Sequence, residues 1–240
     1  YNPQVTTDGD GFIIASDVCQ DVNDKRQLQP QVLQTEENLG QIPEGTPWNF
    51  DTGYFGGDNL AFLREKKIDA YVAPEKPDPN PYSADKFIYE PHKNEYTCPG
   101  GHAMRFLSER YDKTSGKRYS IHKSDNCHTC PHQGSCTKRK DGIRYLKIYP
   151  HPELRDEMIA KMRTKNAKKT YRRRKETVEP AIGCIKYNQG LNEFLTRSLG
   201  TVRTEFGLAC AALNIKKLWL RTRGRVTDVV GSSPAPVHLC

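Results

Sequence analysis

Residues 46–77, TPWNFDTGYFGGDNLAFLREKKIDAYVAPEKP, decide how this chain folds. They read as a short strand ending at Asp51, a glycine-containing turn, an amphipathic helix carrying Leu60, Phe62 and Leu63, and a second strand within IDAYVAP. Strand, helix and strand in such quick succession are the pattern of a crossover in an α/β sheet. Upstream, YNPQVTTDGDGFIIASDVCQ (1–20) places two β-compatible runs around Asp8-Gly9-Asp10-Gly11, residues suited to a hairpin turn. Between these segments, Leu28, Val32, Thr35 and Leu39 are spaced for one helical face. Gly40 is a stop signal, and Pro30 belongs near the helix start. The expected fold class is α/β.

The rhythm then breaks. Residues 76–150 are rich in Pro, Gly, Cys, His and Lys, with short apolar runs only, and read as an inserted module. A helical pattern returns in PELRDEMIAKMRTKNAKKTYRRRKETVE and again in TVRTEFGLACAALNIKKLWL. The expected organisation is a first core part at 1–75, the insert at 76–150, a helical last core part at 151–220 and a disordered tail at 221–240, whose RTRGRVTDVVGSSPAPVHLC lacks periodicity.

Thirty-seven Lys and Arg against twenty-nine Asp and Glu give a net charge of +8 in 240 residues. The balance favours a polyanionic partner, nucleic acid before an acidic membrane surface. No apolar run approaches the ~20 residues that span a bilayer, and no leader-like segment opens the chain. No membrane partner and a cytoplasmic location are therefore expected. Tyr1 already lies inside a strand pattern, so a piece of a longer reading frame is expected.

The eight cysteines are unevenly placed. Cys98 in CPGGH and Cys127, Cys130 and Cys136 in CHTCPHQGSC fall within the insert; Cys19, Cys184, Cys210 and Cys240 are scattered. A Cys-x2-Cys knuckle grips one ion from both sides of a tight turn, and two further thiolates complete a tetrahedron around zinc. His102 is an alternative ligand, and His128 and His132 stand near in sequence. Disulfides are the competing reading. A module so poor in apolar residues needs a staple, so structural zinc is the expectation. Lys138-Arg139-Lys140, directly after Cys136, fit either a DNA contact or a solvated loop.

Asp51 closes a strand, where ligands gather at the carboxyl edge of an open α/β sheet; taken alone, a turn aspartate steadying its own loop is the better reading, and Asp51 gains interest only with a partner carboxylate from elsewhere. The second candidate region is YRRRKETVEPAIGCIK, residues 171–186. On a continuous helix Tyr171, Lys175 and Glu179 lie along one stripe, and Glu179 and Lys186, seven apart, share a face. Val178, Ile182 and Ile185 form a neighbouring apolar stripe, and Pro180 predicts a kink beside the carboxylate. The plain alternative is a solvated helix whose glutamates neutralise nearby arginines.

Together, DTGYF and YRRRKETVEPAIGCIK resemble the DDE transposases of bacterial insertion sequences, in the branch with a Tyr–Arg/Lys–Glu–Lys signature. Glu179 and Lys186 match its Glu-x6-Lys part. Tyr171 and Lys175 take the earlier positions, and Arg174 stands where Tyr-x2-Arg falls, one residue from the ideal spacing. YNPQVTTD, EKKIDAYVAPEKP, CPGGH and NIKKLW extend the resemblance over most of the chain.

The resemblance implies an RNase H-like mixed sheet, interrupted here by the zinc-binding insert, and DNA cleavage and strand transfer that depend on Mg²⁺ or Mn²⁺. Asp51 would be the second catalytic, metal-holding carboxylate and Glu179 the third. Tyr171, Arg172, Arg173, Arg174, Lys175 and Lys186 would bind DNA phosphates. Implied partners are double-stranded DNA, as transposon ends and target, and a second copy in a homodimer on DNA. The family places the first catalytic aspartate on a strand before the segment matching Tyr1 onward; Asp8, Asp10 and Asp17 do not occupy that place. The chain is therefore expected to lack one carboxylate and to be inactive alone. The alternatives are a non-catalytic zinc-dependent nucleic-acid-binding protein and a nuclease that cuts without joining.

Overall fold

The computed structural model describes residues 1–22, 24–113, 116–223 and 237–239. In chain order its main elements are β1 (Asn2–Thr7), β2 (Ile13–Cys19), α1 (Leu28–Leu39), β3 (Pro47–Phe50), α2 (Gly57–Glu65) and β4 (Asp69–Val72). Next come β5 (Ile88–Glu90), β6 (Glu95–Thr97), β7 (Ala103–Asp112), β8 (Lys117–Lys123), the single turn α3 (Gln133–Cys136) and β9 (Tyr145–Ile148). The chain ends with α4 (Pro152–Arg163), α5 (Lys165–Arg172), α6 (Arg174–Gly183), a π-helical turn at Cys184–Asn188, α7 (Leu199–Arg223) and β10 (Val237–Leu239). They divide into two compact units, Tyr1–Pro74 with Glu153–Cys240, and Glu75–Pro152.

The first unit is built on a mixed sheet in the order β2-β1-β10-β3-β4. The β1–β2 hairpin is antiparallel, and Asp8 Oδ1 accepts from the Asp10 and Phe12 amides to shape its turn. The β3–α2–β4 crossover is parallel, as residues 46–77 lead one to expect. α1 buries Leu28, Val32 and Thr35 and ends at Gly40, whose φ of +70° is one that glycine adopts without strain. Leu39, assigned to the same face, is about half exposed.

Helices cover both faces of the sheet. One apolar cluster joins Leu28, Val32, Trp48, Phe50, Tyr54, Leu60, Leu63 and Leu154. The other joins Val5, Ile13 and Val18 to Val178, Ala181 and Ile185 beside α6 and to Val202, Phe206, Cys210 and Leu213 of α7. Asn214 of α7 bridges the main chain of Ile13, accepting from its amide at 2.8 Å and donating to its carbonyl at 2.7 Å. No helix among the described residues is long and apolar enough to cross a membrane.

The expected disordered tail takes several forms. α7 runs on to Arg223, and Val237–Leu239 enter the middle of the sheet, antiparallel to β1 and parallel to β3. Residues 224–236 and 240 lie outside the described residues. Three residues in a slot between two strands gain ladder hydrogen bonds on both sides, so pairing outweighs the lack of any periodic pattern in VHLC.

The second unit is an antiparallel sheet, β5-β6-β7-β8-β9. Its apolar core is small: Phe87, Tyr96, Met104 and Leu146, with Cys98 and Ile148 packed against it.

Candidate functional site

Asp51 follows β3 directly. Its backbone is extended, and its carboxylate caps a short 3-10 turn (Thr52–Tyr54) by accepting from the Thr52 amide at 2.7 Å. Tyr54 is fully buried and donates its hydroxyl to Gln4 of β1, which fastens the turn to the sheet. Gly53 is required by a close approach: a Cβ there would stand 2.8 Å from Asp24 Oδ2. Asp24 in turn accepts from the Asn2 and Gln4 side-chain amides at 2.6 and 2.8 Å. A second carboxylate therefore sits beside the Asp51 turn. The sequence reading missed it because Asp24 is separated from Gly53 by a helix and a strand.

The continuous helix expected for 171–186 is three segments. α5 gives way to α6 at Arg173, Pro180 lies inside α6, and the π turn follows it. Proline cannot donate to the carbonyl four residues back, and a π turn shifts the bonding to i+5. The extra residue per turn rotates Lys186 away from the line that an ideal helix would draw from Glu179. Val178, Ala181 and Ile185 still face the core.

Among the cations of YRRRK, Arg174 stands apart. Its side chain is 9% exposed, and Nη1 lies 3.3 Å from Asp51 Oδ1 and donates to the Tyr171 hydroxyl at 2.8 Å. Expected to meet DNA with its neighbours, Arg174 instead ties the start of α6 to the end of β3. Arg172, Arg173, Lys175, Glu179 and Lys186 are exposed, and Tyr171 is half-buried. Glu179 lies five residues beyond Arg174 on the helix that the arginine anchors, and its side chain pairs with no described residue. The structure thus brings Asp51, Tyr171 and Arg174 into contact, with Glu179 farther along α6.

In the second unit, Cys98, Cys127, Cys130 and Cys136 line one cavity of about 30 Å³ together with His102 and Arg144. The CPGGH turn curls so that the His102 amide donates to Cys98 Sγ at 3.4 Å. A Cβ on Gly100 would meet Cys130 Sγ at 3.3 Å and Cys98 Sγ at 3.7 Å, so the turn passes close to both sulfurs. Burial pushes the Cys136 thiol above its ordinary range. His132 is exposed, with Nδ1 3.1 Å from the Tyr82 hydroxyl. The seven described cysteines are all free of disulfides. Among the described residues, no group of three or more His, Cys, Asp or Glu side chains is arranged to hold a metal ion, at these thiols or around Asp51 and Glu179.

No curated protein and no solved structure matches the chain. A sequence model described as the transposase DDE domain matches residues 97–219, half of the chain. The matched stretch takes in the four clustered cysteines, Arg174, Glu179 and Lys186, while Asp51 precedes it. On that match, the chain belongs to the transposase DDE domain family.

Proposed function

We propose that the chain carries the catalytic domain of an insertion-sequence transposase, RNase H-like in topology, that acts on double-stranded DNA by metal-dependent cleavage and strand transfer in the cytoplasm. The observation that carries this reading is the Arg174–Asp51 contact, which draws the helix bearing Glu179 against the sheet edge bearing Asp51. A mixed sheet with an antiparallel hairpin on one side, a parallel crossover on the other and helices on both faces is consistent with it.

Magnesium or manganese in this reaction class activates the attacking oxygen and steadies the leaving one. Asp51 and Glu179 are the carboxylates assigned to it, and the described residues do not complete a binding set. What these residues do themselves is narrower. Arg174 and the Thr52 amide orient the Asp51 carboxylate, and Glu179 presents a second carboxylate free of competing partners. Arg172, Arg173, Lys175 and Lys186, all exposed, hold phosphates. Tyr171 and Arg174 act inside this arrangement as its brace. In the insert, zinc held by Cys98, Cys127, Cys130 and Cys136 staples the small sheet; four thiols around one cavity are the donor set that zinc favours. Assembly on DNA is as a homodimer.

The incomplete carboxylate set favours one competing reading, a zinc-dependent DNA binder without chemistry. Duplex binding measured with and without Mn²⁺ separates the two. The transposase reading expects Mn²⁺ to tighten binding, an effect lost in Asp51→Asn and in Glu179→Gln, with no plasmid nicking by these 240 residues. Binding indifferent to Mn²⁺ and to both substitutions supports the plain binder. Robust nicking that Asp51→Asn abolishes contradicts the expectation of inactivity.

A further inference from the structure

We propose that one face of the β7–β9 sheet is a duplex-DNA backbone surface, separate from the 171–186 helices. The first ground is where the charge lies. Residues 103–148 hold eleven Lys and Arg against four Asp and Glu, a net +7, while the rest of the chain holds twenty-six against twenty-five. Nearly all of the surplus that points to a polyanionic partner is therefore in this sheet and its loops. The YRRRK run sits in a region whose charges, the run included, nearly cancel.

The second ground is register. Directly paired residues project from the same face of a sheet. Tyr96, Met104, His122 and Leu146 point to the core side through the pairs Tyr96↔Met104 and His122↔Leu146. The opposite face carries the row Arg105, Lys123 and Tyr145, the pair Arg110 and Tyr119, and Lys147 opposite Ile121. Six strand positions on that face are thus cationic or aromatic, and the acids that share it are Glu95, paired with Arg105, and Asp112, opposite Lys117.

The third ground decides what such a face binds. Lys147 Nζ lies 5.2 Å from the Tyr119 ring centre, and the Arg139 guanidinium carbon 4.6 Å from that of Tyr145. Tyr119 also packs against Tyr149, with 5.6 Å between ring centres. Rings capped by cations and by each other do not offer the bare π-faces on which unpaired bases stack. They hold cations in place, which suits phosphates of a duplex read by position and not by sequence. Glu95, Asp125 and Asp141 pair with Arg105, Lys123 and Arg139 at 3.1, 3.2 and 2.9 Å. These are surface pairs of small worth, and an incoming phosphate can replace the acid. Arg110 and Lys147 are exposed and make no ion pair with a described acid.

The test uses the full chain and a random-sequence duplex, with fluorescence anisotropy over a range of salt concentrations. The double variant Arg110→Gln/Lys147→Gln should weaken binding ~10-fold and make the slope of log K against log salt shallower by about 2. Arg118→Gln, which removes an exposed cation from the core-side face through the pair Tyr111↔Arg118, should leave both nearly unchanged. Equal zinc content and circular dichroism keep misfolding out of the comparison. Unchanged duplex affinity in the double variant overturns the proposal, as does an equal loss in Arg118→Gln or a loss confined to single strands. Because this face contains neither Asp51 nor Glu179, the outcome is independent of the metal test above.

Discussion

Each unit of this protein is built on a five-stranded sheet, and the two sheets bury cores of very different size. In the first, eleven fully or nearly buried residues, from Leu28 to Leu154, fill one side of the sheet and α6 and α7 cover the other. Apolar burial at about 25 cal/mol per Å² suffices there. In the second, four core residues serve 78 residues of chain, and β7 is exposed along most of its ten residues. A sheet with so little to bury needs a cross-link. On the proposed zinc reading, the four cysteines around one cavity would supply it.

The largest expected effect removes that cross-link. Cys130→Ser, or zinc chelation of the parent, should unfold the insert while leaving the first unit folded, because structural zinc contributes an apparent ~10–16 kcal/mol in small domains. Near-ultraviolet circular dichroism with zinc quantification reads this, and an unaltered insert in zinc-free protein would rule the staple out. Next in size, Phe50→Ala deletes a fully buried ring from the first sheet and should cost ~3–5 kcal/mol by urea denaturation. Phe106→Ala in the second sheet, where the ring is 55% exposed, should cost well under ~1 kcal/mol. Similar costs at the two positions would erase the contrast.

A smaller effect is expected at the brace. Arg174→Gln should destabilise by ~1–2 kcal/mol, since Arg174 is buried but Asp51 is about half exposed and can turn to water. Lys175→Gln, at an exposed neighbour, should change stability by less than ~0.5 kcal/mol. An Arg174 effect no larger than that of Lys175 would remove the brace from the account.

The smallest is a pH effect confined to the insert. Burial holds the His122 imidazole below its ordinary range, so the folded state favours the neutral ring. As pH falls, the unfolded chain takes up the proton first. The His122 contribution is thus complete above about pH 6.5 and is lost as acidity carries the ring through its lowered range. Urea midpoints at pH 7.5 and 5.5 should show a steeper acid loss in the parent than in His122→Gln, and parallel losses would contradict it.

The same contrast explains what could be read from the sequence. Residues 46–77 showed their strand-helix-strand order because burial on one face imposes periodicity, and Leu60 and Leu63 are indeed buried. The β1–β2 hairpin was legible through its Asp-Gly turn and α1 through Leu28, Val32 and Gly40. The strands of the insert left no such trace, because β7, wet on both faces, has no alternation to impose. β10 escaped notice because its three residues gain their place from neighbours far away in the chain. At the candidate site, Asp51 and Glu179 stood out by strand-end position and spacing. The buried state of Arg174 did not, since a run of four adjacent cations gives no sign of which one turns inward. The π turn after α6, which alters the relation of Lys186 to Glu179, has no sequence marker beyond Pro180.

Hydrogen–deuterium exchange of the full chain, followed by mass spectrometry with and without a zinc chelator, tests the central contrast most directly. The account predicts that chelation strips protection from amides of β7, β8 and β9 while β1, β3 and β4 keep theirs. Protection lost in both sheets together, or in neither, would contradict it.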